Sequence, residues 1–344
     1  MGDETPRDPI QRAAGDGTDL YDVVTWERRS TVDRLATRLY GALVLSTRAI
    51  VIGLAVLILL GQVALTAAAT LRDPLIGIYI VASVIPALFI VIYVWHSDVT
   101  AGQSLSTLVA TYLLGLLFAS FAAVVNSSVQ GLFAAFGTVG LVVFFYLIVA
   151  PIEEAVKLLA VRMHAYRKPE FAAVIDGAVY GAVAGLGFAT IENAIYISQQ
   201  YAQTVNGVGT GGLLAALQTA AVRSFAGPGH VIYSSFAGYY LGLARFNPDD
   251  RGPIVVKGIV VAAFIHGTYN ALVTNLQAIL GVVDVLAALP PAIGFVGFVI
   301  VYDGVFLAAL VHKLRTYGRA FERTGARAYV DDGEQGDDSE DDGD

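Results

Sequence analysis

Eight long apolar blocks are the feature that most constrains what this chain can fold into. Each block is about 20 residues or longer and nearly free of charge, which is the length that a helix needs to cross a bilayer. The sequence therefore predicts an all-α membrane protein with about eight transmembrane helices, located in the cell membrane as a multi-pass protein. The blocks lie near 45–69, 74–95, 104–125, 137–161, 172–197, 222–244, 254–276 and 292–312.

The basic residues of the loops predict how these helices are oriented. Bases precede the first block and follow the fourth, sixth and eighth blocks, whereas Arg72 is the main base on the opposite side. Because cytoplasmic loops carry an excess of Lys and Arg, both termini are expected in the cytoplasm. Seven spans would break this agreement. The bases on the cytoplasmic side are Arg28, Arg29, Arg34, Arg38, Arg162, Arg167, Lys168, Arg245, Arg251, Lys313, Arg315, Arg319, Arg323 and Arg327.

Charge and cysteine content exclude several functions. The 344-residue chain has a net charge of −8 and forms no basic patch, so nucleic acid is not expected as a partner. It has no cysteine, which excludes disulfides, iron–sulfur clusters and thiol catalysis. Nine of the last fourteen residues are acidic, and the rest of the chain has 20 acids against 21 bases. This tail is expected to be disordered, and its dense carboxylates hint at a halophilic host.

Four regions are expected along the chain. Residues 1–38 form a polar cytoplasmic segment, disordered over 1–19, and residues 39–136 form three accessory transmembrane helices. Residues 137–312 form the transmembrane core, and residues 313–344 form a basic juxtamembrane segment followed by the acidic tail. An interfacial helix is also predicted in the N-terminal segment, with one side formed by Leu20, Val23, Val24, Trp26, Val32, Leu35 and Leu39.

Charged and polar residues inside the blocks are concentrated in the second half of the chain. A charge at the bilayer centre costs at least about 2.5–3.5 kcal/mol, so each one needs a physical reason. Function is therefore expected within about 150–275, and Asp303, which stands alone in the last block, is expected to be structural. The intramembrane polar residues are Glu153, Glu154, Lys157, Asp176, Glu192, Arg223, His230, His266 and Asp303.

The fourth block contains the segment PIEEAVK. Glu153 and Lys157 are four residues apart, so they share a helix face and are expected to form an ion pair. Glu154 points about 100° away and has no local partner. Two adjacent carboxylates in a low dielectric cannot both ionise cheaply, which is how a general acid or base is made. The alternative is that the Glu153 pair only neutralises charge for insertion.

The fifth block contains DGAVYGAVAGLGFATIEN. Glycines recur every four residues from Gly177 to Gly185, which allows a neighbouring helix to approach closely. Glu192 and Asn193 are polar groups in an apolar helix, and Glu192 could bind a metal or position water. Asp176 lies near the cytoplasmic end, where pairing with a base is an equal alternative to a functional role.

The sixth and seventh blocks each contribute a histidine. In RSFAGPGH, the Gly-Pro-Gly run predicts a break or kink of the helix before His230, which is tolerated only inside protein or beside a water-filled cavity. Arg223 is seven residues earlier, so both side chains could face that cavity if the helix stayed continuous. In HGTYN, His266 and Asn270 share one face and could offer a metal ligand or two donors for an oxyanion. The alternative for each histidine is a hydrogen-bonded structural role.

These motifs, in this order over about 145–275, resemble the PrsW family of intramembrane proteases, which belongs to the CAAX-protease and bacteriocin-immunity superfamily. In that superfamily a paired-glutamate motif precedes FxxxH and HxxxN. Here the pair is Glu153–Glu154, and the last motif is His266xxxAsn270. The middle motif ends in Glu192 instead of histidine, as in the PrsW branch, so CAAX processing is not expected.

The resemblance implies an intramembrane endopeptidase that hydrolyses a peptide bond of a membrane-protein substrate in regulated proteolysis. Such substrates include membrane-anchored regulators, although the family's anti-sigma factors are not carried over to this chain. Glu153 would activate water with support from Glu154, Glu192 and His230 would position that water, and His266 and Asn270 would stabilise the oxyanion. The expected supporting residues are Lys157, Asp176, Asn193 and Arg223.

The resemblance leaves open whether the protein needs a metal ion. PrsW-like proteins are often classed as metalloproteases, and Glu153, Glu192, His230 and His266 are ligand types that zinc accepts. However, the chain has no HExxH motif, and related enzymes can be interpreted as using glutamate and water alone. No obligatory metal and no organic cofactor are therefore expected, with zinc as the alternative.

Two other functions are consistent with the sequence. A proton- or ion-coupled transporter could use intramembrane acids as a relay, although no internal repeat supports it. A non-catalytic scaffold that kept the family core would be expected to lose the polar set. The single-site hypothesis also has a geometric difficulty, because the predicted spans separate Glu153 and Glu192 in depth by roughly 10 Å.

Overall fold

The computed structural model describes residues 19, 27–100, 102–206 and 211–324. Within these ranges the chain is helical and contains no β-strand, so the predicted all-α class is confirmed. The predicted disorder of residues 1–18 and of the acidic tail lies outside the described residues.

Eleven α-helices are found in the described ranges. A π-helical turn at Phe145–Val149 joins the fourth and fifth helices, and a 3₁₀ turn at Ala165–Arg167 follows the fifth. The α-helices are α1 (Thr31–Arg72), α2 (Pro74–His96), α3 (Leu105–Ala134), α4 (Gly137–Phe144), α5 (Ala150–Met163), α6 (Val174–Asn206), α7 (Gly212–Arg245), α8 (Arg251–Thr274), α9 (Leu276–Leu280), α10 (Asp284–Ala287) and α11 (Pro291–Thr324).

The chain divides into two compact units, Met1–Leu54 and Ala55–Asp344. In the first unit, α1 begins where Ser30 and Asp33 cap each other: each backbone N–H donates to the other's side chain, at 2.7 and 3.0 Å. This helix therefore begins before the predicted block at 45. Three positions of the predicted interfacial helix, Val32, Leu35 and Leu39, are exposed on α1, and the other four lie outside the described residues.

Seven helical segments of the described chain are long and apolar enough to cross a membrane. Their bounds are Gly53–Arg72, Pro74–His96, Leu105–Ala134, Gly137–Arg167, Val174–Thr204, Arg251–Thr274 and Pro291–Thr324. They correspond to seven of the eight predicted blocks. The remaining block belongs to α7, which has 34 residues but is less apolar, so the count of eight stays a prediction.

Helices α6 and α7 lie close enough for their backbones to touch. A Cβ added at Gly181 would lie 2.3 Å from the carbonyl oxygen of Ser234, and one added at Gly238 would lie 2.0 Å from that of Gly177. These distances are shorter than any real Cβ contact, so only glycine allows this approach. The spacing role predicted for the glycines of α6 is thus observed.

The backbone differs from what the sequence predicts in two places, before His230 and before the paired glutamates. Helix α7 continues through Pro228 as one helix, so the predicted break before His230 is wrong, and the alternative of a kink stays a prediction. Proline is tolerated inside a membrane helix where neighbouring helices hold the backbone, and here α6 packs directly against the carbonyl of His230. The π-helical turn at Phe145–Val149, which the sequence did not predict, precedes the paired glutamates. Such turns are frequent at functional sites.

Candidate active site

A cavity of about 810 Å³ lies among the helices of the second unit. Its lining comes from α1, from α3–α8 and from the π-helical turn, and it is both polar and apolar. Six of the residues predicted from the sequence line this one cavity: Glu153, Glu192, Arg223, His230, His266 and Asn270.

Glu153 has one carboxylate oxygen engaged and one available. The side chain of Asn126 donates to Glu153 Oε1 at 3.0 Å. Oε2 is buried, and it has no hydrogen-bond partner among the described residues. Its nearest basic atom is His266 Nε2 at 3.7 Å, which is too long for a hydrogen bond. Oε2 is therefore the atom of the pair that can receive a proton or a ligand.

Glu154 is the carboxylate that is fully bonded. Lys157 Nζ donates to Glu154 Oε1 at 2.7 Å, His266 Nδ1 lies 2.9 Å from the same oxygen, and the Ser234 hydroxyl donates to Oε2 at 3.4 Å. The predicted pair of Glu153 with Lys157 is thus wrong. The expectation that Glu154 has no local partner is wrong as well, because Lys157 lies three residues after it on the same helix. The reason is orientation: α5 turns Glu154 toward Lys157 and toward α7 and α8, whereas Glu153 faces the cavity.

His266 is oriented by Glu154. Because its Nδ1 bonds to that carboxylate, its Nε2 is left pointing toward Glu153. A carboxylate behind one imidazole nitrogen is the usual arrangement that fixes the tautomer of a metal-binding histidine. The ring also packs against Tyr233, with centroids 5.4 Å apart. His266 is therefore held on two sides, with Nε2 free for chemistry.

Glu192 is held by a basic partner on α7. Arg223 Nη2 donates to Glu192 Oε2 at 2.5 Å, and His230 Nε2 lies 2.8 Å from the same oxygen. Arg223 is itself fixed, because its Nε donates to Asn193 Oδ1 at 2.8 Å. Asn193 in turn donates to Ser83 Oγ at 3.1 Å. The predicted supporting residues Asn193 and Arg223 therefore form a chain that positions Glu192.

His230 contacts one basic and one acidic side chain of the site. Lys157 Nζ lies 2.9 Å from its Nδ1, and a lysine can only donate, so Nδ1 accepts and Nε2 carries the proton toward Glu192. Phe188 packs on the imidazole with centroids 5.2 Å apart, and Lys157 Nζ lies 4.2 Å above the same phenyl ring. The ring of His230 is thereby locked between α5 and α6.

The predicted gap in depth between Glu153 and Glu192 is absent. His230 bonds to Glu192, and a ligand atom of His230 lies within 4.8 Å of those of Glu153 and His266. The predicted boundary was the source of the error: α6 continues to Asn206 and not to 197, so Glu192 lies deeper than the sequence suggested. The site is therefore a single cluster.

Three side chains of this cluster fit a metal ion. Glu153, His230 and His266 each offer one ligand atom, these atoms lie within 4.8 Å of one another, and all three residues are buried. Both nitrogens of His230 are hydrogen-bonded here, to Lys157 and Glu192, so a metal would replace one of these two contacts. Two imidazole nitrogens and one carboxylate oxygen form the ligand set of several catalytic zinc enzymes. The unpaired Oε2 of Glu153 supports this fit. Glu192, the fourth predicted ligand, is absent from the group and instead bonds to Arg223.

Asp176 does not belong to the site. It accepts hydrogen bonds from the backbone N–H of Ala173 at 2.7 Å and from Gln103 at 2.9 Å, and so fixes the start of α6. It precedes Glu192 by 16 residues, or about 24 Å of helix. Its role as a supporting residue of the site is therefore not favoured. Its partners among the described residues are a side-chain amide, the hydroxyl of Thr100 and a backbone N–H, and none of them is a base.

The sequence reasoning missed several residues of the cavity. Asn126 belongs to NSSVQG, which reads as a loop, but α3 continues through it to Ala134. Gln62 is one amide in the first apolar block and also lines the cavity. Tyr233 was unnoticed among the apolar residues of α7, yet its hydroxyl donates to Asp303 at 2.8 Å. Gln62 had a signal, because amides are costly inside a membrane helix, whereas Asn126 had none as long as its run was predicted to be a loop.

Comparisons with known proteins agree with this geometry. A family model described as PrsW family intramembrane metalloprotease matches residues 103–305. Protease PrsW of Geobacillus kaustophilus is 30% identical over 192 residues, which is 56% of this chain and 77% of the relative. Protease PrsW of Halalkalibacterium halodurans is 26% identical over 56% of this chain and 81% of the relative.

A third relative, Protease PrsW of Bacillus subtilis, is 32% identical over 37% of this chain and 52% of its own length. No solved structure matches the chain. The matched region contains the whole buried cluster, and nothing in the comparisons supports the transporter alternative. The chain therefore belongs to the PrsW family of intramembrane metalloproteases and is a multi-pass membrane peptidase.

Proposed function

We propose that this peptidase cleaves its membrane-protein substrate at the buried cluster, with Glu153 as the residue that activates water. The observation that carries this proposal is the buried Oε2 of Glu153, which has no hydrogen-bond partner in the described chain. A general base needs such a free lone pair within reach of the reacting water. Glu154 is less suited to this role, because Lys157 and His266 both bond to its Oε1.

The other side chains take roles that follow from their contacts. Glu192, held by Arg223, accepts a hydrogen bond from His230, and this pair positions the water beside Glu153. Asn270 lines the same cavity and donates to the oxyanion that forms when the water attacks. In the absence of a metal, His266 shares this role through Nε2, the nitrogen that Glu154 does not occupy, whereas a bound zinc would take that nitrogen instead.

Zinc is the metal that we propose for Glu153, His230 and His266. Their donor set supports this identity, because imidazole nitrogens and a carboxylate oxygen match zinc's preferences. When bound, zinc supplies Lewis acidity that polarises a carbonyl and makes water easier to deprotonate. The metal content of Glu153→Gln separates two roles: retained zinc without cleavage assigns Glu153 as base, and lost zinc assigns it as ligand.

We propose that α7 is an eighth transmembrane helix and that both termini are cytoplasmic. The support is burial: α7 packs against α6 along its glycines, so it needs less apolar surface than a lipid-facing helix. The chain has no cysteine, so single cysteines added before α1 and after α11 can be labelled without background. Labelling of either one from outside intact cells would overturn this topology.

The substrate that we propose is a membrane-anchored regulatory protein. The support is the position of the cluster inside transmembrane helices, which restricts access to segments in or next to the bilayer. The four-region division, with a catalytic core over 137–312, rests on the location of the cluster. The CAAX-protease grouping rests on the motifs, and a halophilic host rests on the acidic tail.

The deciding experiment compares membrane-protein fragments in cells that produce the full chain or its variants. We expect fragments in the wild type that disappear in Glu153→Gln. The matched control is Glu322→Gln, which removes an exposed acid of α11 and should keep every fragment. Identical fragments from folded, membrane-inserted Glu153→Gln protein would overturn the proposal.

A further inference from the structure

Three oxygen atoms in the wall of the cavity are buried and lack hydrogen-bond partners among the described residues. They are Gln62 Oε1, Asn126 Oδ1 and Glu153 Oε2, and all three residues line the same cavity. A buried acceptor that stays unpaired costs about 1–3 kcal/mol, so native proteins leave few of them. Three acceptors in one cavity indicate a ligand that brings several donors.

The orientation of the Asn126 amide is fixed by its neighbour. Its Nδ2 donates to Glu153 Oε1 at 3.0 Å. The flipped amide would place an oxygen against the carboxylate, where no hydrogen bond can form. Oδ1 is therefore the atom that faces away from Glu153 and needs a donor from elsewhere.

A peptide backbone offers the donors that these oxygens need. Each residue other than proline carries one N–H, and in an extended segment these groups point outward to both edges. In an α-helix the same groups bond within the helix and are not available. Gln62 on α1 and Asn126 on α3 come from different helices, so they can contact two separate N–H groups.

We propose that Gln62 and Asn126 are positioning residues, which accept hydrogen bonds from backbone N–H groups of a substrate segment bound in extended form beside Glu153. This inference rests on the proposed function. Unwinding a helix in the bilayer exposes N–H groups to a region without water, where each costs several kcal/mol. The two amide oxygens offset part of that cost, and they select segments that unwind over segments that stay helical.

The test uses a quenched twelve-residue peptide of alternating Ala and Leu with lysines at both ends. One backbone N–H at a time is replaced by N-methyl, and the affinity of each peptide for the full chain in detergent is measured together with its cleavage. We expect one N-methyl position to weaken binding to the wild type by about 3- to 10-fold through loss of the bond to Asn126. A second position should do the same through Gln62.

The variants assign each position. In Asn126→Leu, the first N-methyl group should cause no further loss of affinity, and in Gln62→Leu the second should cause none. Ser127→Ala is the matched control, since the Ser127 hydroxyl already bonds to the carbonyl of Ala123 at 2.7 Å. It should keep the wild-type pattern. The Gln62→Leu variant keeps the hydrogen bond between Asn126 and Glu153, so it can still test the inference if Asn126→Leu fails to fold.

The outcomes separate this inference from the proposed function. An N-methyl penalty of equal size in the wild type and both variants would overturn the inference alone, because the two oxygens would then bond only to water. Absence of peptide binding to the folded wild type would also overturn it. Cleavage that does not depend on Glu153 would overturn the proposed function while leaving the binding pattern intact.

Discussion

The contact of Gly185 with α7 makes the cluster sensitive to one methyl group. A Cβ added at Gly185 would lie 2.5 Å from the backbone oxygen of His230. Ordinary contact begins at 3.4 Å, so the two helices must separate by 3.4 − 2.5, or 0.9 Å. That movement carries His230 away from Glu192, which it now contacts at 2.8 Å.

The expected effect of Gly185→Ala is large on activity and moderate on stability. Overpacking of this kind costs about 1–3 kcal/mol. A misplacement of about 1 Å in a catalytic group can lower the rate by about 100-fold. We therefore expect Gly185→Ala to lower kcat/KM by about that factor on a substrate identified by the fragment comparison, and to lower the melting temperature in detergent.

The control for this experiment is Gly304→Ala on α11. No atom lies within 4 Å of a Cβ added there, so no helix has to move. Alanine favours a helix over glycine by about 1 kcal/mol, so the control should be neutral or slightly more stable. If Gly185→Ala cleaved its substrate and melted as the wild type does, the reasoning would be refuted, because the helices would then have accommodated the methyl group without moving His230.

Three further predictions follow from the buried contacts. Lys157→Met should destabilise the protein by about 3–5 kcal/mol because it leaves Glu154 unpaired, and adding Glu154→Gln should restore much of that loss in thermal unfolding; equal losses would contradict the pairing. Asp176→Asn should lower the free energy of unfolding by about 1–2 kcal/mol but keep substrate cleavage. A folded variant without activity would show that Asp176 supports the active site. Purified protein should contain about one zinc ion per chain, and folded His266→Ala that retained full zinc would exclude His266 as a ligand.

The sequence predicted what the cluster contains better than how its members pair. Intramembrane polarity was enough to find Glu153, Glu192, His230 and His266, since each charge in lipid needs a reason. Helical spacing then suggested that Lys157 pairs with Glu153, but spacing describes one helix alone. Glu154 pairs with Lys157 three residues later on α5, and its other partners, Ser234 and His266, come from α7 and α8, where no local pattern contains them.

Segment ends were the least predictable feature of the fold. The NSSVQG run reads as a loop, yet α3 continues through it and places Asn126 against Glu153. The Gly-Pro-Gly run before His230 reads as a break, yet α7 continues. In both cases tertiary packing holds a helix that local propensity would end, and propensity is only a weak guide where neighbouring helices bury the backbone.

The two adjacent glutamates show why a paired-carboxylate motif is useful at this site. Successive residues on a helix point about 100° apart, so Glu153 and Glu154 necessarily face different neighbours. Glu154 faces Lys157 and His266, where a buried ion pair with further hydrogen bonds keeps it charged and fixes the histidine. Glu153 faces the cavity, and its only hydrogen bond from the described residues comes from the neutral amide of Asn126. One carboxylate thus orients His266, and the other keeps the unpaired oxygen that the proposed function requires.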